Sequence, residues 1–536
     1  MTREIQADYC IAGVGIAGVL LASRLAAAGR KIVMLDQGPR FSEADRERML
    51  EQGIETLNDY ADYNDQTREA MITPHSSAKP GNGVAAWAPM RLFGIGGTAL
   101  HFEGLMIRPQ EEDLRVKSLY GYGRDWPITY GELEPWLLQA EQEVGVAGTE
   151  DNPYASRRSA PFPLPGHAFS YFDREILGPA FKRLGITGHS CPRAVNSIPY
   201  RGRMECMGCR ICKFCPTGAR YSPDRVHVPK LDKSGQVTIL EKTSLRRLET
   251  DPKGNRVVVA HGLEVETGTE LVVRARRFVL ALGGVETPRM LLLSAKNGAH
   301  RDGLGNIGGQ LGRNFSDHFN PYVTMNTGRP VGSRLGFETM ASDHFRVRTD
   351  RRRVPGFMLF GAPAMDWFPI GNEATAWATK GNILSLKELR ESVVRIATLA
   401  AMTELGGRGT LELDRNRLDA FGAPVAKITM KLTDWDRRSL EKFAELVLRL
   451  GDAMGAANIS EVSPELGMGY HPSGATAMAR TPAEGVCDPD LKVFGLDNHY
   501  LVSNSVFPHM GANPPTLTIA ALALRLAAHL EGGTVS

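Results

Sequence analysis

A chain of 536 residues is too long for one hydrophobic core, so roughly two or three domains are expected. The formal net charge of +3 is nearly balanced and argues against nucleic acid as a primary partner. No apolar stretch reaches the ~18 residues that span a bilayer, so no transmembrane segment is expected. The N-terminus runs into a first strand without an apolar signal core, so we expect any export to depend on a partner.

The first elements of the chain predict a dinucleotide site. Residues 8–15 (DYCIAGVG) are predicted to form a buried strand and a tight turn, and Gly13, Gly15 and Gly18 form a G-x-G-x-x-G pattern before an apolar helix. A second strand, KIVMLD, ends at Asp36. The glycines allow the turn and the approach of a pyrophosphate to the helix N-terminus, and the acid suits ribose hydroxyls. The pattern alone is weak, but all these elements in register are a strong signal.

Later segments are predicted to return to the same domain. RLFGIGGTALHF contains Gly96, Gly97 and Thr98, a flexible loop that lets backbone pass close to a ligand. Residues 236–275 contain short alternating strands that predict a β-meander. FVLALGGVETPRMLLLS then predicts a strand, a glycine turn and a helix. The nucleotide domain is therefore expected to consist of separated pieces.

Four cysteines at three-residue steps, Cys206, Cys209, Cys212 and Cys215, are followed by Pro216. Iron–sulfur proteins use C-x2-C-x2-C runs and a Cys-Pro pair. Zinc sites usually pair two C-x2-C knuckles across a long spacer, and an intracellularly folded chain of this size does not need disulfides. The motif predicts an iron–sulfur cluster, either 3Fe-4S or 4Fe-4S. Zinc, disulfides and free thiols are the alternatives.

Three further groups of residues give weaker predictions. A basic run is predicted to be a solvated loop or a docking patch for an acidic redox partner; it contains Arg346, Arg348, Arg351, Arg352 and Arg353. The scattered cysteines are predicted to be buried thiols: Cys10, Cys191 and Cys487. Three aromatic residues could stack on a sugar or simply be buried: Trp367, Phe368 and Trp377.

Taken together, these motifs resemble those of the glucose–methanol–choline (GMC) oxidoreductases. The resemblance is carried by the glycine pattern with Asp36 and by GIGGTALHF, ALGGVETPRMLLLS, LGRNFSDH, YHPSGATAM and ANPPTLTIAALALR. GYGRDWPITYGELEPWLLQAEQEVGV and CPTGARYSPDRVHV are similar to the iron–sulfur-containing flavin large subunits of bacterial sugar dehydrogenases, of the fructose, glucose, gluconate and glucoside 3-dehydrogenase type.

The resemblance implies an α/β fold with an α+β substrate part. It comprises a Rossmann-like FAD-binding domain built from discontinuous segments and a substrate domain with an antiparallel sheet flanked by helices. The expected FAD-binding segments are residues 1–165, 200–318 and 465–536, with the cysteine loop at 204–220. The expected substrate-binding segments are residues 166–199 and 319–464.

The resemblance also implies the catalytic residues. The family base corresponds to His471, and imidazole suits this role because its pKa lies near working pH; the alternative is a core histidine that caps a turn. Relatives place an Asn or His four residues before the Thr that matches Thr518, where this chain has Pro514. Asn513, one residue earlier, is the expected second catalytic residue, and His509 is the reserve candidate.

The implied cofactors are FAD and the iron–sulfur cluster. The C-terminal helix is expected to begin near Pro515 and to direct its N-terminus at the flavin, where it favours the negative charge of the reduced ring. The expected FAD-binding residues are Gly13, Gly15, Gly18, Asp36, Gly96, Gly97, Thr98, His101, Asn504 and Thr516.

The family resemblance implies oxidation of a hydroxyl of a sugar or sugar-derived alcohol by hydride transfer to FAD. Electrons would then pass through the cluster to a cytochrome c or a quinone. A small signal-carrying subunit would export the chain to the periplasm or hold it at a membrane; without such a partner the chain would be cytoplasmic. The alternatives are a GMC alcohol oxidase that uses oxygen, a dehydrogenase of a non-sugar alcohol, and a non-catalytic flavoprotein subunit.

Overall fold

The computed structural model describes residues 2–56, 92–209, 212, 214–296, 298–332, 337–363, 394–406, 409–430, 432–460, 462 and 470–532. Its strands are β1 (Thr2–Ala12), β2 (Ile32–Leu35), β3 (Ala147–Gly148), β4 (Leu164–Pro165), β5 (His189–Ser190), β6 (Val237–Leu240), β7 (Thr243–Thr250), β8 (Val257–Glu264), β9 (Glu270–Leu280), β10 (Tyr322–Asn326), β11 (Met340–Ser342), β12 (Phe357–Pro363), β13 (Ile396–Thr403), β14 (Thr410–Leu418), β15 (Pro424–Thr429) and β16 (His499–Leu501).

The α-helices are α1 (Ile16–Ala27), α2 (Glu43–Thr56), α3 (Val116–Tyr120), α4 (Tyr130–Val144), α5 (Gly178–Arg183), α6 (Pro223–Val226), α7 (Val228–Lys233), α8 (Gly283–Leu293), α9 (His344–Val347), α10 (Asp434–Met454) and α11 (Thr516–Glu531). Short 3-10 turns lie at Gly97–Leu100, Glu111–Leu114, Gly298–His300 and Asn504–Val506, and a π-helical turn at Asp173–Leu177.

The larger sheet has seven described strands: six lie in the order β6-β2-β1-β9-β8-β7, and β16 pairs with β9 outside this order. Strands β6, β2, β1 and β9 are parallel, and the end of β9 is also parallel to β16. β7, β8 and β9 form an antiparallel meander as predicted, but β6, which lies in the segment predicted to be part of that meander, pairs in parallel with β2 instead. All four residues of β2 are buried, as expected for a parallel strand covered on both faces. Helices α1 and α11 contribute to the same apolar core as this sheet.

The smaller sheet has five described strands in the order β10-β13-β12-β11-β5, all antiparallel. Burial alternates along β13: Ala397, Leu399 and Ala401 are fully buried, whereas their neighbours are half-buried. The fully buried residues share a core with Phe443 and Leu450 of α10. Because side chains alternate between the faces of a strand, the other face of β13 is left to line the site described below.

The predicted fold class is confirmed, and the strands divide as the family resemblance implies. Every strand of the seven-stranded sheet lies in the segments expected to bind FAD, and every strand of the five-stranded sheet lies in the segments expected to bind substrate. The residue boundaries of the two domains remain a prediction. Within the described part of the chain, no helix is both long and apolar enough to cross a membrane.

Candidate active site

A cavity of about 590 Å³ lies between the two sheets. Ala12, Leu35 and Ala281, at or just beyond the carboxyl ends of parallel strands, line one side, and Phe360 and Met402 of the antiparallel sheet line the other. Ligands of open α/β sheets bind beyond the carboxyl ends of the strands. The cavity is therefore placed where both a dinucleotide and a second molecule could bind.

The three glycines of the first turn have three separate roles. Gly13 has φ +102°, and a Cβ there would lie 2.4 Å from the carbonyl oxygen of Ala281, so only glycine fits this turn. A Cβ on Gly18 would lie 2.0 Å from the carbonyl oxygen of Gly13. The lack of a side chain at Gly18 therefore allows α1 to pack closely on the turn. A Cβ on Gly15 would meet only Gly97, at 3.8 Å. Gly15 therefore leaves room for a phosphate beside the N-terminus of α1.

Asp36 ends β2 and lines the same cavity. Its carboxylate accepts backbone hydrogen bonds from Val14 (Oδ2, 3.0 Å) and Gly38 (Oδ1, 3.0 Å). Burial raises its pKa to about 6, although the two hydrogen bonds act in the opposite direction. A carboxylate at this position suits the ribose hydroxyls of a dinucleotide, so the residues present fit FAD.

The structure brings most of the predicted cofactor residues to this cavity. Gly97 packs against the first turn, and a Cβ on Gly97 would lie 3.0 Å from the Cα of Gly15. Gly18 and Gly96 do not line the cavity. Gly96 has φ +115°, a backbone conformation that favours glycine. The predicted residues that line the cavity are Gly13, Gly15, Asp36, Gly97, Thr98, His101, Asn504 and Thr516.

The N-terminus of α11 points at the cavity as predicted. Pro514, Pro515, Thr516 and Ile519 line the cavity, and the helix continues for 16 residues to Glu531. A helix N-terminus carries a partial positive charge and unpaired backbone N–H groups. This end of the cavity therefore favours negative charge on a bound ring system.

His471 lines the cavity and contacts a second histidine. Its Nδ1 lies 2.8 Å from Nδ1 of His318, and Nε2 of His318 lies 2.8 Å from the carbonyl oxygen of Gly511. Burial lowers the pKa of His471 well below its ordinary value, and a charge on His318 would lower it further. Burial likewise lowers the pKa of His318 to about 4. Both imidazoles are therefore neutral at working pH, and His471 can accept a proton.

Asn513 and His509, the candidates for the second catalytic position, are not among the residues that line this cavity. Both line a separate space of about 10 Å³ instead. The side-chain oxygen of Asn513 accepts a hydrogen bond from Arg346 (3.1 Å), and its Nδ2 donates to the carbonyl of Pro514 (3.2 Å). Pro514 faces the cavity in its place, so the structure gives no support to a catalytic Asn513, which remains a prediction.

The basic run is not a single solvated loop, because two of its arginines are buried. Arg346 and Arg351 have side-chain exposures of 1% and 2%. Both donate to Asp113, at 3.0 and 2.9 Å, and Arg351 also donates to Glu404. His509 contacts Glu404 at 3.2 Å. Burying these guanidinium groups requires such pairing, and only Arg348, Arg352 and Arg353 remain exposed.

Sequence reasoning missed the polar residues at the substrate end of the cavity: Glu103, Asn320, Glu338 and Tyr470. Arg193, which is fully buried, donates to Oε2 of Glu338 (2.6 Å) and to the backbone carbonyl of Glu103 (3.0 Å). The two glutamates had no sequence pattern, whereas His318 belongs to the LGRNFSDH motif. The aromatic candidates Trp367, Phe368 and Trp377 lie outside the described residues.

The cysteine loop forms a small core of its own. Cys212 and Cys215 are buried among Val195, Ala219 and Phe337, and Cys206 packs against this cluster. Cys209 is exposed. In the described part of the chain, no three His, Cys, Asp or Glu residues form a group that could hold a metal ion, so the predicted cluster is not shown. Cys10, Cys191 and Cys487 are buried, as predicted.

Backbone N–H groups point at two of these sulfurs. Gly208 donates to Sγ of Cys206 at 3.4 Å, and Arg220 donates to Sγ of Cys215 at 3.2 Å. Cys215 has φ +34°, a left-handed conformation that costs a residue with a side chain about 1–3 kcal/mol. Burial raises the pKa of the Cys212 thiol to about 12. Four thiols, of which Cys206 and Cys215 accept backbone hydrogen bonds, are the kind of soft ligand set that an iron–sulfur cluster uses.

Arg220 connects this loop to the cavity. Its buried guanidinium donates to the carbonyl oxygens of Ala99 (2.7 Å), Leu100 (2.7 Å) and Cys212 (2.6 Å). Ala99 lines the cavity. One side chain therefore ties the cysteine loop to the loop that contacts the expected flavin.

Comparisons with known proteins identify the family of the chain. Models described as GMC oxidoreductase match residues 165–320 and 406–523. The chain is 30% identical to the fructose dehydrogenase large subunit of Gluconobacter japonicus, with 98% of each chain covered. It is 26% identical to the 6'''-hydroxyparomomycin C oxidase of Streptomyces lividus, with 98% of this chain and 92% of that one covered. It is 23% identical to the gluconate 2-dehydrogenase flavoprotein of Pantoea cypripedii, with 96% and 92% covered.

A solved structure shows the same fold. Pyridoxine 4-oxidase from Mesorbium loti matches with a TM-score of 0.65 at 18% identity, covering 99% of this chain and 100% of that one. The family predicted from the motifs is thus confirmed over nearly the whole length. The chain belongs to the GMC oxidoreductase family and is an FAD-dependent oxidoreductase that acts on CH–OH groups.

Proposed function

We propose that this protein is a dehydrogenase that oxidises a hydroxyl of a sugar or sugar-derived alcohol and passes the electrons through an iron–sulfur cluster. The observation that carries the proposal is the pairing of two features: a neutral histidine on the cavity wall and a cysteine loop tied to the same cavity by Arg220. An oxidase that gives its electrons to oxygen inside the cavity has no need of the second feature.

The cavity wall supports alcohol oxidation. Bound FAD supplies the hydride acceptor, which no side chain can replace. As the carbinol carbon loses its hydride, the hydroxyl proton passes to His471 and the C–O bond becomes C=O. His471 is neutral before the step because burial lowers its pKa, so it can accept that proton.

The substrate end supports a polyhydroxylated, uncharged substrate. Glu103 and Glu338 line the cavity, and carboxylate oxygens accept hydrogen bonds from hydroxyl groups. Arg193 donates to Glu338 at 2.6 Å and lies 3.8 Å from the carboxylate of Glu103, so one guanidinium faces two carboxylates and does not neutralise both. Two carboxylates disfavour an anionic substrate by like-charge repulsion. We therefore expect neutral sugars to be oxidised faster than sugar acids.

The cysteine loop supports electron exit by way of a cluster. Cys206, Cys212 and Cys215 would hold it with Cys209, and the donors on Cys206 and Cys215 would stabilise thiolate charge. The exposed Cys209 would leave the loop accessible to a cytochrome c or a quinone. One relative is named as a large subunit, which supports a small partner subunit. We propose that this partner exports the chain to the periplasm or attaches it to a membrane.

Iron, acid-labile sulfide and EPR spectra of protein purified without oxygen test the proposal. We expect about three or four irons per flavin, lost in Cys215→Ser and kept in Cys10→Ala, which removes a thiol outside the loop. Reduction of a dye acceptor with neutral sugars should exceed oxygen consumption at the same substrate concentration. Zinc or no metal would contradict the cluster, and rapid peroxide formation without another acceptor would favour a GMC alcohol oxidase.

A further inference from the structure

The segment Ser316–His318, here called the SDH strap, lies against His471 from the side opposite the cavity. Ser316 and Ser473 exchange two backbone hydrogen bonds, of 3.0 and 2.7 Å, as an antiparallel bridge. Oδ1 of Asp317 accepts the backbone N–H groups of His471 (3.0 Å) and of His318 (2.7 Å). The backbone around the expected base is thus fixed at two points, by the bridge at Ser473 and by the carboxylate of Asp317.

The imidazole rings of His318 and His471 make a third contact, and the hydrogen bond to Gly511 decides which ring is the donor. The carbonyl oxygen of Gly511 carries no proton, so Nε2 of His318 must be the donor across 2.8 Å. A neutral imidazole has one donor nitrogen and one acceptor nitrogen. Nδ1 of His318 is then the acceptor, and the hydrogen bond of 2.8 Å must be donated by Nδ1 of His471.

We propose that His318 is a positioning residue that fixes the proton of His471 on Nδ1 and so leaves Nε2 with the lone pair that accepts the substrate proton. The inference deepens the proposed function and rests on His471 as its base. Nε2 of His471 makes no hydrogen bond to the part of the chain that the structure describes. The His471 side chain lines the cavity, so this nitrogen is available to a substrate bound there.

The surroundings of His318 keep its imidazole ring neutral. His318 is fully buried, and burial lowers its pKa to about 4. The hydrogen bond to Gly511 and the charge of Glu404 act against this shift, whereas His509 and Arg346 act with it. His318 therefore remains neutral and keeps its acceptor nitrogen. After the proton transfer, Nδ1 of His318 still accepts from the charged His471, which stabilises the product of the step.

Two substitutions separate this role from simple packing. His318→Asn can place an amide oxygen near the former Nδ1 and keep the acceptor for His471, but loses the donor to Gly511. His318→Gln can keep the donor to Gly511 but loses the acceptor. We expect flavin reduction by saturating substrate without oxygen to slow less than about fivefold in the Asn variant and about 30-fold or more in the Gln variant, within the range known for general bases, with similar KM. A packing role predicts the opposite order, because Gln matches the reach of His better.

Histidine-selective ¹⁵N NMR of the apoprotein gives a readout that does not depend on activity. The signals of His471, assigned by their loss in His471→Ala, should show the proton on Nδ1 in the parent and in the Asn variant, and a mixture of tautomers in the Gln variant. Equal tautomers in all three proteins, or a Gln variant as fast as the parent, would overturn the inference. A His471→Ala variant that reduces flavin at the parent rate would instead overturn the proposed base itself.

Discussion

Two buried polar regions lie on either side of the segment between Pro508 and Pro515, and they are built in opposite ways. On the cavity side, His318 and His471 are both neutral, and one nitrogen is left to react. On the far side, Arg346, Arg351 and Glu404 belong to a charged network with Asp113. The first region keeps a proton acceptor available, whereas the second uses every charge to hold the segment in place.

The pKa shifts follow this division. Burial lowers the pKa of both His318 and His471, and a charge on His318 would lower that of His471 further. Burial alone would raise the pKa of Glu404, but Arg351 and a hydrogen bond from His509 bring it well below its usual range. Burial thus neutralises the imidazole of His471, whose partner His318 is uncharged, and leaves the carboxylate of Glu404 charged because it is paired with Arg351. Of the two buried histidines His471 and His509, only the first is in a position to act as a base.

The largest expected effect separates these two histidines. His471→Ala should slow flavin reduction by about 10³-fold, since general base catalysis contributes about 10²–10⁴-fold. His509→Ala should slow it by less than about tenfold and lower the stability by about 1–2 kcal/mol, because it removes one buried hydrogen bond. Stopped-flow bleaching of the flavin and thermal unfolding measure the two effects. Equal kinetic losses in the two variants would remove the distinction between the regions.

Glu404→Gln should break the charged network. Removing one member of a buried ion pair costs about 3–5 kcal/mol, so we expect a loss of that size in urea unfolding near pH 7. Because the folded-state pKa of Glu404 lies below its unfolded value of about 4.3, its contribution is complete above that value and is lost as the pH falls below it. The difference between parent and variant should therefore shrink below about pH 4. Glu531→Gln, at the exposed end of α11, is a matched control that should change little.

The flavin end offers a smaller effect that depends on pH. The raised pKa of Asp36, about 6, means that the carboxyl is protonated below this pH and is a full acceptor for ribose hydroxyls above it. The affinity of the apoprotein for FAD should rise about tenfold between pH 5 and pH 7, the size expected for a hydrogen bond to a charged group. Asp36→Asn should weaken binding at pH 7 by a similar factor and flatten the pH dependence, as titrations of flavin fluorescence would show. The control Asp302→Asn, at an exposed site, should keep the pH dependence of FAD binding seen in the parent.

The smallest expected effect concerns Asn513. Because its side chain lies outside the cavity and is bound to Arg346, Asn513→Ala should change flavin reduction less than about threefold. It should lower stability by about 1–2 kcal/mol through loss of that bond. A loss of 100-fold or more at unchanged stability would restore Asn513 to the catalytic position that the family pattern assigns to it.

Most of the flavin end could be predicted from sequence because backbone geometry dictates it. Gly13 and Gly15 are required by a turn and by a close approach, and Asp36 follows directly from the strand that ends beside it. Such requirements leave a local pattern in the chain. The residues found this way are close in sequence to the elements that place them.

The reacting end could be predicted only in part, because it is assembled from distant segments. His318 and His471 are 153 residues apart, and no local pattern records that they touch. Arg346 and Arg351 resembled a surface run because neighbouring arginines usually are solvated, and Asp113, the carboxylate that they share, lies far away in the chain. Glu103 and Glu338 had no pattern at all. Only the tertiary fold distinguishes these buried side chains from exposed ones.

The place of β1 in the seven-stranded sheet has a consequence for how the molecule is made. This strand lies between β2 and β9, with register pairs from Thr2↔Glu270 to Ala12↔Leu280, and β16 joins only at residues 499–501. Contacts across such sequence separations slow folding because long loops must close first. The buried end of β1, residues 9–12, is covered only when these distant strands are in place, and chains that expose such segments while folding are prone to aggregate. The nucleotide site is thus expected to form late in folding, although the residues of its glycine pattern, Gly13 to Gly18, lie close together in the sequence.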